Sequence, residues 1–169
     1  LVIAIEGSVS SMDPANIPDT NAISATRGCY EMLVAFDENQ EIQGQLAESY
    51  EVSEDSLTYT FHLREGVKFT DGTDFNAAAV KANYDRIIDK ENNLRQRRTF
   101  VVTGEDGSET YRVESIETPD DYTVVFKLTE PWAPFINRMT QICMISPAAL
   151  EEYGNDIMNH PVGTGPFIC

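Results

Sequence analysis

The chain has 169 residues, 41% of them hydrophobic and 24% charged, the profile of one globular domain of ordinary size with a real core. Its 28 acidic residues outnumber 12 basic ones, and a net charge of −16 repels phosphate backbones, which argues against a nucleic-acid partner. No run of about 18 apolar residues is present, so no membrane-spanning helix is expected. Leu1–Ile5 reads as a short buried strand, with no secretion leader before it. The segment from Gly7 to Pro14 is loop. Ala22, Ala25, Cys29 and Leu33 recur at helical spacing and predict a helix from about Asn21 to Val34. Asp37-Glu38-Asn39 reads as a turn.

Leu57–Leu63 alternates strictly. Leu57, Tyr59, Phe61 and Leu63 share one face and Thr58, Thr60 and His62 the other, so the run is a half-buried strand. Asp71-Gly72 signals a tight turn. Asn76 caps a helix over Ala77–Asp89, with Val80, Tyr84, Ile87 and Ile88 as its apolar stripe. Two β-rich runs between Phe100 and Val113 flank Gly104–Ser108 and predict a hairpin. Tyr122–Leu128 alternates again. Pro131 and Pro134 break the chain before a short helix over Phe135–Met139. Ser146 and Pro147 then start another helix that ends near Gly154. Strands and helices mix without βαβ alternation, so the class is α/β in the broad, mixed α+β sense.

No catalytic constellation is legible. HExxH, G-x-S-x-G and calcium-loop patterns are all missing, and neighbouring carboxylates are expected by chance among so many. Cys29, Cys143 and Cys169 do not have metal-site spacing. They read as small buried hydrophobes, with a Cys29–Cys143 bridge as the alternative. Val162–Pro166 is a weak match to a phosphate loop and fits a hinge or tight crossover better. Arg95-Gln96-Arg97-Arg98 reads as a solvated loop or helix end. Arg27 and Arg138 are expected in salt bridges to nearby carboxylates. Trp132, between prolines, reads as a core anchor before a cleft wall. No cofactor and no metal is expected.

Several strings resemble one family. They are Ser11-Met12-Asp13-Pro14, Tyr30–Val34, Leu46–Asp55, the long run Leu63–Ala77 continuing to Val80, Ser146–Leu150 and Pro161–Phe167. In order and spacing this set is similar to the peptide/nickel-type, family 5, solute-binding proteins of ABC importers. The runs Asp71–Asn83 and Met144–Glu151 are most similar to the glutathione-importing branch, from which Thr99–Val113 departs with what reads as an inserted hairpin. The resemblance implies an N-terminal lobe fragment of a two-lobed, periplasmic-binding-protein-like clamshell of the class II, peptide type. Residues 1–39 would start the main lobe, 40–160 would form an extra α/β subdomain, and 161–169 would return to the main lobe. The second lobe is absent from this chain. With no initiator Met and an end inside a motif, the chain reads as a piece of something longer.

The implied function is capture of small peptides, glutathione among them, outside the cytoplasm. Delivery would be to the permease subunits of an ABC importer, with no enzymatic turnover. The protein would be periplasmic or a cell-surface lipoprotein, touching the membrane only through the permease or a lipid anchor outside this segment. Alternatives are nickel-chelate or other solute binding in the same fold, a ligand-sensing or adhesion role, and a hydrolase domain. The cleft-facing residues implied are Ser8, Val9 and Ser10 after the first strand, and Pro18, Asp19, Thr20 and Asn21 at the start of the following helix. Their small polar side chains and free N–H groups suit peptide carboxylates and amides. Leu63–Val80 is structural: Asp71-Gly72 turns the chain, while Phe69, Phe75 and Val80 pack.

Overall fold

The computed structural model describes residues 8–17 and 20–168. The expected strand Leu1–Ile5 and the residues Pro18 and Asp19 lie outside them. After a 3-10 turn at Pro14–Asn16 come α1 (Thr20–Thr26), β1 (Val34–Phe36), β2 (Ile42–Gly44), β3 (Ala47–Val52) and β4 (Thr58–Leu63). Next are α2 (Ala77–Ile88), α3 (Arg97–Phe100), β5 (Val101–Thr103), β6 (Glu109–Tyr111), β7 (Val113–Asp120) and β8 (Thr123–Leu128). Two helices follow, α4 (Phe135–Met139) and α5 (Pro147–Tyr153). This is the mixed α and β architecture that the sequence predicts.

The central sheet is antiparallel, ordered β3-β4-β8-β7. Register follows from the alternation in β4 and β8. Phe61 pairs with Val124 and Tyr59 with Phe126, so one face collects Tyr59, Phe61, Leu63, Val124, Phe126 and Leu128, all buried. A one-residue slip of β4 would turn Tyr59, Phe61 and Leu63 to the opposite face and bring Thr58, Thr60 and His62 into the core. Helix α2 covers the apolar face: Tyr84 lies 4.8 Å from Phe126 and 4.8 Å from Phe100. Each such ring contributes on the order of 2–3 kcal/mol by leaving water. Asn76 caps α2, its Oδ1 accepting from the Ala79 N–H, as its sequence position predicts. Asn83, on the same helix, is buried and bonds Ala79 O, Ile145 O and Ile145 N, tying α2 to the segment before α5.

Other expectations hold. The Asp37–Gln40 turn joins β1 to β2, the hairpin β5–β6 forms, and Ser146 and Pro147 open α5 with Gly154 after it at φ 54°. The helix expected over Asn21–Val34 is cut short. Helix α1 ends at Thr26, and Val34 pairs in β1 instead. The reason is tertiary. The carbonyls of Cys29 and Gly28 accept from Gly165 N and Phe167 N, so the incoming Gly163–Phe167 segment takes the backbone that a longer helix would use. Val162 and Gly163 also accept from Ser146 N and Thr70 N, making this segment a seam, in keeping with the crossover reading. Cys29 is disulfide-bonded and Cys143 is a free thiol, so no Cys29–Cys143 bridge forms and Cys29 is more than a small buried hydrophobe.

Candidate functional site

An open cleft of about 630 Å³ lies where the N-terminal segment, α1, α3 and α4 converge. Pro14, Ala15 and Ile17 form one wall, and Ile23 and Thr26 of α1, with Arg27 just beyond its end, extend it. Arg95, Gln96, Arg98 and Thr99 also line it, with Arg112, Trp132, Arg138 and Cys143 among the rest of the lining. Gln96 joins the walls. Its N–H donates to Ala15 O at 3.1 Å and its side-chain amide to Gln141 O at 2.9 Å. A bridge between Met32 and Cys143 closes the far side.

Trp132 is half-buried. It packs edge-on against Phe100 at 6.2 Å and beside Phe135 at 6.1 Å while its other side faces the cleft, so it is core anchor and cleft wall together. The Arg112 guanidinium lies 4.7 Å from the Trp132 ring centroid, an arrangement that fixes a planar cation in place. Burial pushes the Cys143 thiol up to about 12, against a lowering by Arg27. At neutral pH the thiol is therefore protonated, a weak nucleophile and a poor metal ligand.

Five of the chain's eight arginines line this cleft, and among the described residues no Asp, Glu or Lys does. Among the described residues, Arg27 and Arg138 make no salt bridge to a carboxylate, contrary to expectation. The Arg95–Arg98 run lies at a helix end, as expected, with Arg95 and Arg98 exposed and α3 starting at Arg97. Arg97 turns inward to a two-bond pair with Glu109 at 2.8 and 3.2 Å, while Arg95 and Arg98 point into the cleft. Arg97 thus anchors the turn and the start of α3, from which its neighbours present their charge. Sequence reading missed this cluster because its members are spread over 112 positions, from Arg27 to Arg138. Only the fold gathers them.

Ser8, Val9 and Ser10 are exposed ahead of the 3-10 turn, and none lines the cleft. Thr20 and Asn21 open α1 and do not line the cleft, to which the helix supplies Ile23 and Thr26, with Arg27 just past its end. Pro18 and Asp19 lie outside the described residues.

Residues 41–169 match the family described as bacterial extracellular solute-binding proteins, family 5 Middle. Over 169 residues the chain is 43% identical to the glutathione-binding protein GsiB of Escherichia coli O1:K1 / APEC, covering 99% of this chain and 31% of that protein. Among solved structures it is similar to AgaA from A. tumefaciens R10 in complex with agropinic acid. The TM-score is 0.84 at 32% identity, over 96% of this chain and 31% of that one. It is also similar to the periplasmic binding protein DppA of Helicobacter pylori in complex with the peptide STSA. There the TM-score is 0.73 at 34% identity, over 94% and 34% of the two chains. The chain thus spans about a third of the length of these relatives. With more than half its length inside the family match, the chain belongs to the family 5 bacterial extracellular solute-binding proteins.

Proposed function

We propose that this chain is part of the solute-binding component of an ABC importer that captures small peptides, glutathione among them, outside the cytoplasm and delivers them to the permease without turning them over. The observation that carries this reading is the identity of 43% to a glutathione-binding protein along 99% of the chain. The cleft supplies a place for it, being concave, walled by an aromatic ring and ringed by donors suited to carboxylates and amides.

On this reading residues 1–39 and 161–169 belong to the main lobe, 40–160 form the extra subdomain, and a second lobe from elsewhere in the full protein closes over the ligand by hinge motion. The seam of Gly165 and Phe167 on Cys29 and Gly28 supports that division, since it joins the two proposed main-lobe pieces. Thr20 and Asn21, at the start of α1, and the exposed Ser8–Ser10 segment, which lie outside the cleft lining, are proposed as further contacts to the peptide backbone.

The test is calorimetry on the complete mature protein with reduced glutathione, a dipeptide mixture and a nickel–histidine complex. Binding of glutathione or a dipeptide at about micromolar or tighter affinity is the expected result. Heat from the nickel complex alone would replace the peptide assignment with chelate binding. Hydrolysis of a bound peptide would overturn the non-enzymatic reading.

A further inference from the structure

The chain has three cysteines, Cys29, Cys143 and Cys169. Cys29 is disulfide-bonded and Cys143 is a free thiol, so within this chain the partner of Cys29 can only be Cys169. Cys169 lies outside the described residues, but the residues leading to it bring the chain within reach of Cys29. Gly165 N donates to Cys29 O at 2.9 Å and Phe167 N to Gly28 O at 3.2 Å, so the returning segment runs past Cys29 and then Gly28. Two further residues extend at most about 7 Å beyond Phe167, and bridged cysteines have Cα atoms about 4.4–6.8 Å apart. The Cys29 sulfur lies 3.7 Å from Ala25 O, one helical turn back, in the direction in which the returning segment travels.

A wrong pairing is close at hand. Cys29 sits in a small core cluster with Tyr30, Ile145, Ala149 and Ile157, and Cys143 packs against that same cluster. Cys143 nevertheless stays a thiol. Burial pushes it up to about 12, so at neutral pH it is protonated and slow to enter exchange. Cys29 itself is 1% exposed, which shields its bond from soluble thiols.

We infer that Cys29 and Cys169 form a disulfide that staples the chain beyond α1 to the returning segment and closes one covalent loop around the whole central sheet. The family is described as extracellular, and disulfides form and persist in oxidising compartments of that kind. The bond forms by exchange with a disulfide oxidant of the compartment. One cysteine thiolate attacks a sulfur of the oxidant, giving a mixed disulfide and releasing one oxidant thiolate. The second cysteine thiolate attacks the protein-side sulfur, forming the Cys29–Cys169 bond and releasing the other. The two cysteines lose two electrons and two protons, and the oxidant leaves as a dithiol. The closed loop constrains the unfolded chain, the more so because it is long. In the folded chain the bond backs the two seam hydrogen bonds just beyond Thr26 and Arg27, which line the cleft. None of this depends on which ligand the cleft takes.

The test maps disulfides in the complete mature protein. The unreduced protein is alkylated in guanidinium, digested and analysed by mass spectrometry. A peptide pair that links Cys29 to Cys169 and disappears on reduction is expected, with Cys143 alone of the three taking the alkyl label. Cys29→Ala and Cys169→Ala each lower the melting temperature by about 5–15 °C, and the double variant falls no further than either, because the same bond is lost in all three. Alkylation of Cys29 before reduction would overturn the inference, as would a bond from Cys29 to Cys143 or to another cysteine of the complete protein. Single shifts that add in the double variant would overturn the stapling role. Where an alanine variant fails to fold, the peptide map of the unaltered protein decides the pairing by itself.

Discussion

A Cβ placed on Gly165 would lie 2.6 Å from the Cys29 carbonyl carbon and 2.6 Å from Gly28 O. Both neighbours are backbone and cannot swing aside, so the glycine is required by close approach. Gly165→Ala should lose the Gly165 N to Cys29 O hydrogen bond or force the seam apart, at a cost of about 1–3 kcal/mol. Thermal unfolding followed by circular dichroism should show a melting temperature several degrees lower. An unchanged midpoint would mean the seam carries no stability. At this scale the sequence was partly legible. Gly163 and Gly165 stood out as a crossover, and Asn76 and Ser146 as caps. Asn83 did not stand out, because nothing local distinguishes a buried bridging amide from a solvated one. Arg27 and Arg138 were read as ion-paired because acids are plentiful, and proximity in space is not written in abundance.

Among the elements, the strongest unforeseen link joins the Asp71-Gly72 turn to the start of α5. Ser146 Oγ donates to the Asp71 carboxylate, which also accepts from Thr73 N and Thr73 Oγ1, while Ser146 caps the Ala149 N–H. Partial burial pulls the Asp71 carboxyl upward, but the hydrogen bonds from Ser146 and Thr73 outweigh it and hold the group below the ordinary value of 3.8. The folded value is therefore depressed, so the stability Asp71 contributes is present above 3.8 and is lost as pH falls through the lower folded value. Asp71→Ala should lower the urea midpoint at neutral pH, and the difference from the parent chain should shrink in acid. A difference that persists unchanged in strong acid would show that the carboxylate's charge is not the source. Elements with a clean period were legible: β4, β8 and α2 each carry a buried stripe at their own repeat. Strands β3 and β7 were not, since both are sheet edges whose residues are mostly exposed and Pro119 interrupts the second.

For the molecule as a whole, the cleft is open on one side, and the chain spans 31% of the length of its glutathione-binding relative. A half-open cleft leaves its ligand in contact with water, where arginine–carboxylate pairs are worth little. The 169-residue chain alone should therefore bind the complete protein's ligand on the order of a hundredfold more weakly, measured by calorimetry side by side. Equal affinity would show that this piece holds the whole site. By itself the sequence determined the mixed class, the two alternating central strands, the capped helix between them and the family. These rest on local periodicity, capping chemistry and ordered motifs, which a linear chain carries in full. The end of α1 at Thr26, the seam over Gly28 and Cys29, and the gathering of Arg27, Arg95, Arg98, Arg112 and Arg138 around one cleft were decided by tertiary structure. Each depends on which distant backbone or charge arrives beside a residue, and only the packed chain brings them together.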